Sequence, residues 1–197
     1  MNVVIMLLLL ADIFVVTGFG LIEPILAIFI STNLTDGTIV AAGIASTLFL
    51  LTKSIIQLPF SRHVDARGDV SDMRWLLLGT LIITAVPIIY IFSTTVTHMY
   101  IAQILFGVGS GLAYPAWLGL WSTHLDKKRE SFQWSLYSTL TGIGTAIAAA
   151  AGGFVAQYIG FRWTFLLVGL FAFTGCIILF VLLYKQQHEK ARLKRRR

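Results

Sequence analysis

Charge is scarce in this chain. Only 12% of its 197 residues are Asp, Glu, Lys or Arg, against about 25% in an ordinary soluble domain. A water-exposed globule is therefore excluded as the main body. Cysteine is nearly absent. Cys176 stands alone inside an apolar run, which excludes an internal disulfide and a cysteine-built metal site. The histidines His63, His98, His124 and His188 are scattered in or beside the polar stretches, so no metal is expected. No H-E-x-x-H, no G-x-S-x-G and no phosphate-cradling glycine loop occurs, so neither an enzyme nor a cofactor is expected. A basic start is missing as well. "MNVVIMLLLLADIF" has no Lys or Arg, and the apolar run continues to Ile30, beyond the about 7–15-residue core of a secretory leader. The sequence predicts a retained first helix.

Apolar residues make up 57% of the chain, with a mean hydropathy of +0.83. Six runs approach or exceed the roughly 20 residues that cross a bilayer: Val3–Ile30, Ile39–Phe60, Trp75–Ile91, Met99–Ser122, Phe132–Tyr158 and Trp163–Tyr184. No low-complexity linker separates two soluble domains. The expected organisation is an all-α integral membrane domain of six transmembrane helices over residues 1–184, followed by a basic tail over 185–197.

Lys and Arg accumulate on the cytoplasmic side of membrane proteins. The loop after the second run holds Arg62, Arg67 and Arg74, and the loop after the fourth holds Lys127, Lys128 and Arg129. The tail holds Lys185, Lys190, Arg192, Lys194 and Arg195 to Arg197, while the opposite side has Arg162 alone. Both termini are therefore expected in the cytoplasm of a multi-pass cell-membrane protein. The same asymmetry accounts for the net charge of +6 without nucleic acid as a partner. Trp75, Trp121, Trp134, Tyr158, Trp163 and Tyr184 fall near run ends, as interfacial aromatics do.

One phrase occurs twice. Residues 18–24 read "GFGLIEP" and residues 109–115 read "GSGLAYP", in the first and fourth runs. Proline has no N–H, so Pro24 cannot bond the carbonyl of Gly20, nor Pro115 that of Gly111. Kinks are expected at both. The third and sixth runs also open alike, at Arg74-Trp75 and Arg162-Trp163. The first and fourth runs head sets of three, so the pattern predicts an inverted 3+3 repeat, a mark of secondary transporters.

At this point the chain resembles the N-terminal six-helix half of the major facilitator superfamily, nearest the drug-efflux branch. "GLIEPILAIF" resembles that branch's first-helix phrase, with Ala27 where its second proline stands. "SRHVDARGDV" resembles the signature loop after the second helix, with Asp65 and Gly68 on their motif positions and Arg67 between them. "IAQILFGVGSGLAYP" carries Gln103 where many members have an arginine used in proton coupling. "GTAIAAAAGG" matches the antiporter phrase at Gly144, Gly152 and Gly153, which the resemblance makes close-packing positions. It implies alternating access between two six-helix units and a gating role for Asp65, Arg67 and Gly68.

The family has twelve spans in one chain and this sequence has six. A homodimer, or pairing with a separate six-helix half, is therefore expected. The two family halves are related by an axis along the membrane normal, so a parallel pair of copies rebuilds that architecture. Ionisable residues inside spans mark function by default, which singles out Asp12, Glu23 and Lys53. Asp12 and Glu23 are eleven residues apart, about 20° net around a helix, and share a face. Asp12 and Lys53 are expected at matching depth on neighbouring helices, as an ion pair. Gln103, Tyr114 and Trp117 are further candidates for a cavity that holds a small-molecule substrate, with efflux the favoured direction. The alternatives are a non-transport membrane scaffold or assembly protein, and an inactive half-transporter remnant, on the same fold.

Overall fold

The computed structural model describes residues 3–66 and 68–194, and of residues 189–194 the backbone alone. Among the described residues the chain forms α1 (Val3–Gly20), α2 (Leu26–Asn33), α3 (Ile39–Asp65), α4 (Asp69–Phe92), α5 (Val96–His124), α6 (Glu130–Tyr158) and α7 (Phe161–Lys194). All but α2 are long and apolar enough to cross a membrane. The molecule is an all-α membrane protein with six spans. The helix of α7 runs on through Lys194, into the basic residues that follow the last expected span.

The first expected span is divided. Between α1 and α2 the chain turns over residues 21–25. Here the Leu21 N–H donates to the Gly18 carbonyl at 3.2 Å and the Ile25 N–H to the Ile22 carbonyl at 3.0 Å, both one residue short of the α pattern. Pro24 has no N–H to offer Gly20, which is why the ladder tightens and stops here. The second phrase behaves differently. α5 passes through Pro115 without interruption, so of the two prolines only Pro24 ends its helix.

The spans form an arc whose spatial order is α6, α1, α7, α4, α5, α3. This order obeys the inverted repeat. Exchanging α1 with α5, α3 with α6 and α4 with α7 turns the α3–α5 packing into α6–α1 and the α4–α5 packing into α7–α1, and leaves α4–α7 unchanged. The repeated phrase makes equivalent contacts in both sets. A Cβ on Gly18 would lie 2.8 Å from Phe171 Cβ on α7, and one on Gly109 would lie 2.8 Å from the Gly79 carbonyl on α4. A Cβ on Gly20 would lie 3.1 Å from Thr145 on α6, and one on Gly111 would lie 2.8 Å from Ile56 on α3. The first glycine of each phrase thus admits the third helix of the opposite set, and the second glycine admits the second helix.

Two apolar clusters hold the arc. One, at the end with the basic loops, centres on Leu8, Met73, Leu120, Trp121 and Leu182. The other, at the opposite end, centres on Ile22, Ile30, Tyr90, Met99 and Phe165. Phe19 and Phe106 pack against both. At the second end two loops are tied by backbone, with the Thr35 N–H donating to the Thr94 carbonyl at 3.0 Å and the Val96 N–H to the Thr35 carbonyl at 3.4 Å. The helices at the ends of the arc, α3 and α6, are the least buried. Ile55, Leu58, Ile147 and Phe154 stand out from them.

Candidate functional site

A cavity of about 580 Å³ opens between the spans, lined from α1 through α5 with Tyr137 of α6 and Leu179 of α7. Its size is that of a small-molecule site, about 300–1,000 Å³. Asp12, Glu23, Lys53, Gln103, Tyr114 and Trp117 all line it. The sequence therefore picked residues that the fold gathers around one space, though their partners differ from those expected.

Asp12 is half-buried and accepts a hydrogen bond from the Tyr137 hydroxyl at 2.7 Å. Lys53 carries its ammonium over the ring of Tyr114, 5.0 Å from the centroid, a cation–π contact. The expected Asp12–Lys53 ion pair does not form. Among the described residues one ion pair within 4.0 Å is present, between His124 Nε2 and Asp69 Oδ2 at 3.6 Å. The reason is the arc: α1 packs on α7 and α6 while α3 packs on α5 and α2, so α1 and α3 do not pack closely on each other.

Glu23 sits in the turn between α1 and α2 and is exposed, while Leu21 and Ile22 of the same turn are buried. Gln103 is buried, and its amide donates to the Tyr90 hydroxyl at 3.3 Å. Trp117 is buried and stacks on Trp121 one turn further along α5, with centroids 5.1 Å apart. Tyr137 lies 4.9 Å from the Trp117 ring. Asp12 thus stands at the edge of an aromatic cluster of Trp117, Trp121, Trp134 and Tyr137. Three phenyl rings make a layer of their own. Phe19 of α1 stacks on Phe106 of α5 at 4.4 Å and 11°, and Phe106 stacks on Phe49 of α3 at 4.5 Å and 18°.

The close-packing glycines divide. A Cβ on Gly144 would lie 2.5 Å from Thr17 Oγ1, and one on Gly152 would overlap the Leu21 carbonyl. Gly152 is what lets α6 lie against the broken stretch of the first span. Gly153 has nothing within 4 Å of such a Cβ, so the expectation of close packing does not extend to it within this chain. In the signature loop, Asp65 is exposed at the end of α3 and Gly68 is the residue before α4. Arg67 lies outside the described residues. Asp72 of α4 is buried, and its Oδ1 has no hydrogen-bond partner among the described residues.

Sequence reasoning missed Tyr137, Tyr90 and the phenyl layer. Each is an aromatic residue inside an apolar run, without a charge to mark it. Asp72 carried a charge but stood among the loop residues of "DVSDMR", where burial is not visible in one dimension.

Comparison with known proteins agrees with the geometry. Residues 8–197 match the family model described as Major Facilitator Superfamily. A protein named Multidrug resistance protein 2, from Bacillus subtilis, is 30% identical over 179 residues, covering 88% of this chain and 42% of that protein. The Proton-coupled antiporter flippase LtaA of Staphylococcus saprophyticus is 24% identical over 136 residues, covering 66% of this chain and 32% of that protein. Among solved structures, the POT family transporter PepTSo superposes with a TM-score of 0.76 at 17% identity, covering 90% of this chain and 37% of that one. The chain spans less than half the length of each.

Proposed function

The chain belongs to the major facilitator superfamily, and we propose that it moves a small amphipathic solute across the cell membrane by alternating access, as one of two six-helix units. The observation that carries this reading is the cavity. It is built on an inverted repeat and lined by Asp12, Glu23 and Lys53, ionisable residues of a kind that costs about 2.5–3.5 kcal/mol at the centre of a span and so marks function. The uncovered helices α3 and α6, at the ends of the arc, supply the faces on which a second unit closes the cavity. That unit is a second copy in a parallel pair, or a different six-helix half. The basic loops stand in the cytoplasm, so Asp12 and Lys53 lie toward the cytoplasmic half of the cavity and Glu23 toward the outer half. The names of the relatives support export as the direction and a proton as one coupling ion to test.

Everted vesicles carrying the chain test this. Under an imposed proton or sodium gradient they accumulate members of a chemically diverse panel of labelled amphipathic solutes, and Asp12→Asn lowers the accumulation. No accumulation above vesicles without the chain, under either gradient and in the presence of any second half encoded beside it, overturns the reading.

A further inference from the structure

The cavity holds opposite charges that do not neutralise each other. Asp12 and Lys53 line the same space and stand more than 4.0 Å apart. Opposite charges in a medium of low dielectric gain by collapsing onto one another, so something must hold these two apart.

The structure shows both the alternative partners and the spacer. The Tyr137 hydroxyl satisfies one oxygen of Asp12 at 2.7 Å, and the Tyr114 ring lies 5.0 Å from the Lys53 ammonium. Neither partner carries a charge. The phenyl layer props α1 away from α3: Phe19, Phe106 and Phe49 form one stack whose members come from three helices. Phe19 lies seven residues along α1 from Asp12, and Phe49 four residues before Lys53 in α3. The stack therefore crosses the cavity about 6–10 Å from the charged layer. Glu23, the other carboxylate of the lining, sits beyond the end of α1 in the turn over residues 21–25 and forms no ion pair with Lys53.

Such a layer offers one anion and one cation, both in the cavity, with an aromatic shelf beside them. We infer that the cavity takes zwitterionic amphiphiles: a cationic group against Asp12, an anionic group against Lys53, and an apolar or aromatic body against the phenyl stack and Trp117. A ligand with only a positive charge leaves the Lys53 ammonium facing it. A ligand with only a negative charge leaves Asp12 facing it. A zwitterion supplies both missing counter-charges at once, and selectivity of this kind comes from what the wrong ligand leaves unpaired. The inference rests on the transport reading for its purpose but is tested by equilibrium binding.

The probes share one aromatic body. Naphthylalanine is the zwitterion, its methyl ester the cation, and its N-acetyl derivative the anion. Binding of each to the full chain in nanodiscs is measured by calorimetry. The zwitterion is expected to bind at least about tenfold more tightly than either single-charge probe. In Lys53→Gln the advantage over the ester disappears, and in Asp12→Asn the advantage over the N-acetyl form disappears. The wild-type comparison decides by itself if either variant fails to fold. An ester that binds as tightly as the zwitterion, or no binding by any of the three, overturns the inference. Gradient-driven flux without a zwitterion preference leaves the transport reading standing and removes only the substrate class. A zwitterion preference without flux under any gradient does the reverse.

Discussion

Tyr137 donates its hydroxyl to Asp12 Oδ2 at 2.7 Å, joining α6 to α1 across 125 positions of sequence. α6 is among the least buried spans, so this bond is a principal polar tether of that helix to the arc. Tyr137→Phe leaves the carboxyl without its donor and is expected to destabilise the chain by about 1–3 kcal/mol. Asp12→Asn added to Tyr137→Phe is expected to cost less than the sum of the two single changes. Thermal unfolding of the detergent-purified variants checks this, and additive costs mean that the two groups do not act together.

The glycines of α5 supply a second expectation. A Cβ on Gly109 would meet the Gly79 backbone carbonyl at 2.8 Å, which cannot swing aside as the end of a flexible side chain can. Gly109→Ala is expected to cost about 1–3 kcal/mol through the forced separation of α4 and α5. Gly153→Ala, where nothing lies within 4 Å, is expected to be neutral or stabilising by up to about 1 kcal/mol, the helix preference of alanine over glycine. Equal losses in the two variants would show that the α4–α5 contact is looser than it stands here.

Six spans were legible because hydropathy needs no knowledge of neighbours. The repeat was legible because the two glycine phrases are written out, and both sets of contacts follow from it. The fate of each proline was not. Pro24 and Pro115 occupy the same place in the phrase, yet only the first breaks its helix. α5 is clamped along its length between α3 and α4 through Gly107, Gly109 and Gly111, and this packing holds the backbone helical past Pro115. The partner of Asp12 was equally out of reach. Depth along a span is readable from sequence, so Asp12 and Lys53 were placed at matching depth. The spatial order of the arc is not chain order, so Tyr137 could not be found by counting along the sequence.

Asp65 is exposed at the end of α3, so its role lies outside the folding of this unit. Asp65→Asn is expected to leave membrane insertion and unfolding temperature unchanged, and to alter the rate at which a thiol reagent reaches a cysteine placed at Ser46 of the cavity mouth, in protein where Cys176 is replaced. A fall in expression comparable to that of Gly109→Ala would assign Asp65 to the fold instead.

The orientation has its own test. Reporter fusions at positions 35, 70, 95, 127, 160 and 197 of the sequence are expected to report outside, inside, outside, inside, outside and inside in turn, following the basic loops. One fusion on the wrong side would undo both the topology and the assignment of Asp12 and Lys53 to the cytoplasmic half of the cavity.

In the proposed transport cycle one six-helix unit carries half of the machinery, and a second unit completes the cavity across α3 and α6. This division is tested most directly by the dependence of flux on the number of chains per vesicle. Proteoliposomes are prepared over a range of protein-to-lipid ratios, from fewer than one chain per vesicle upward, with the same imposed gradient and solute. If two copies make the active unit, flux rises with the square of chain density at the dilute end and vanishes in vesicles holding one chain. If the second unit is a different six-helix half, no flux is expected until that half is present. Flux proportional to chain density down to single-chain vesicles would contradict the claim and leave one arc of six helices as the whole transporter.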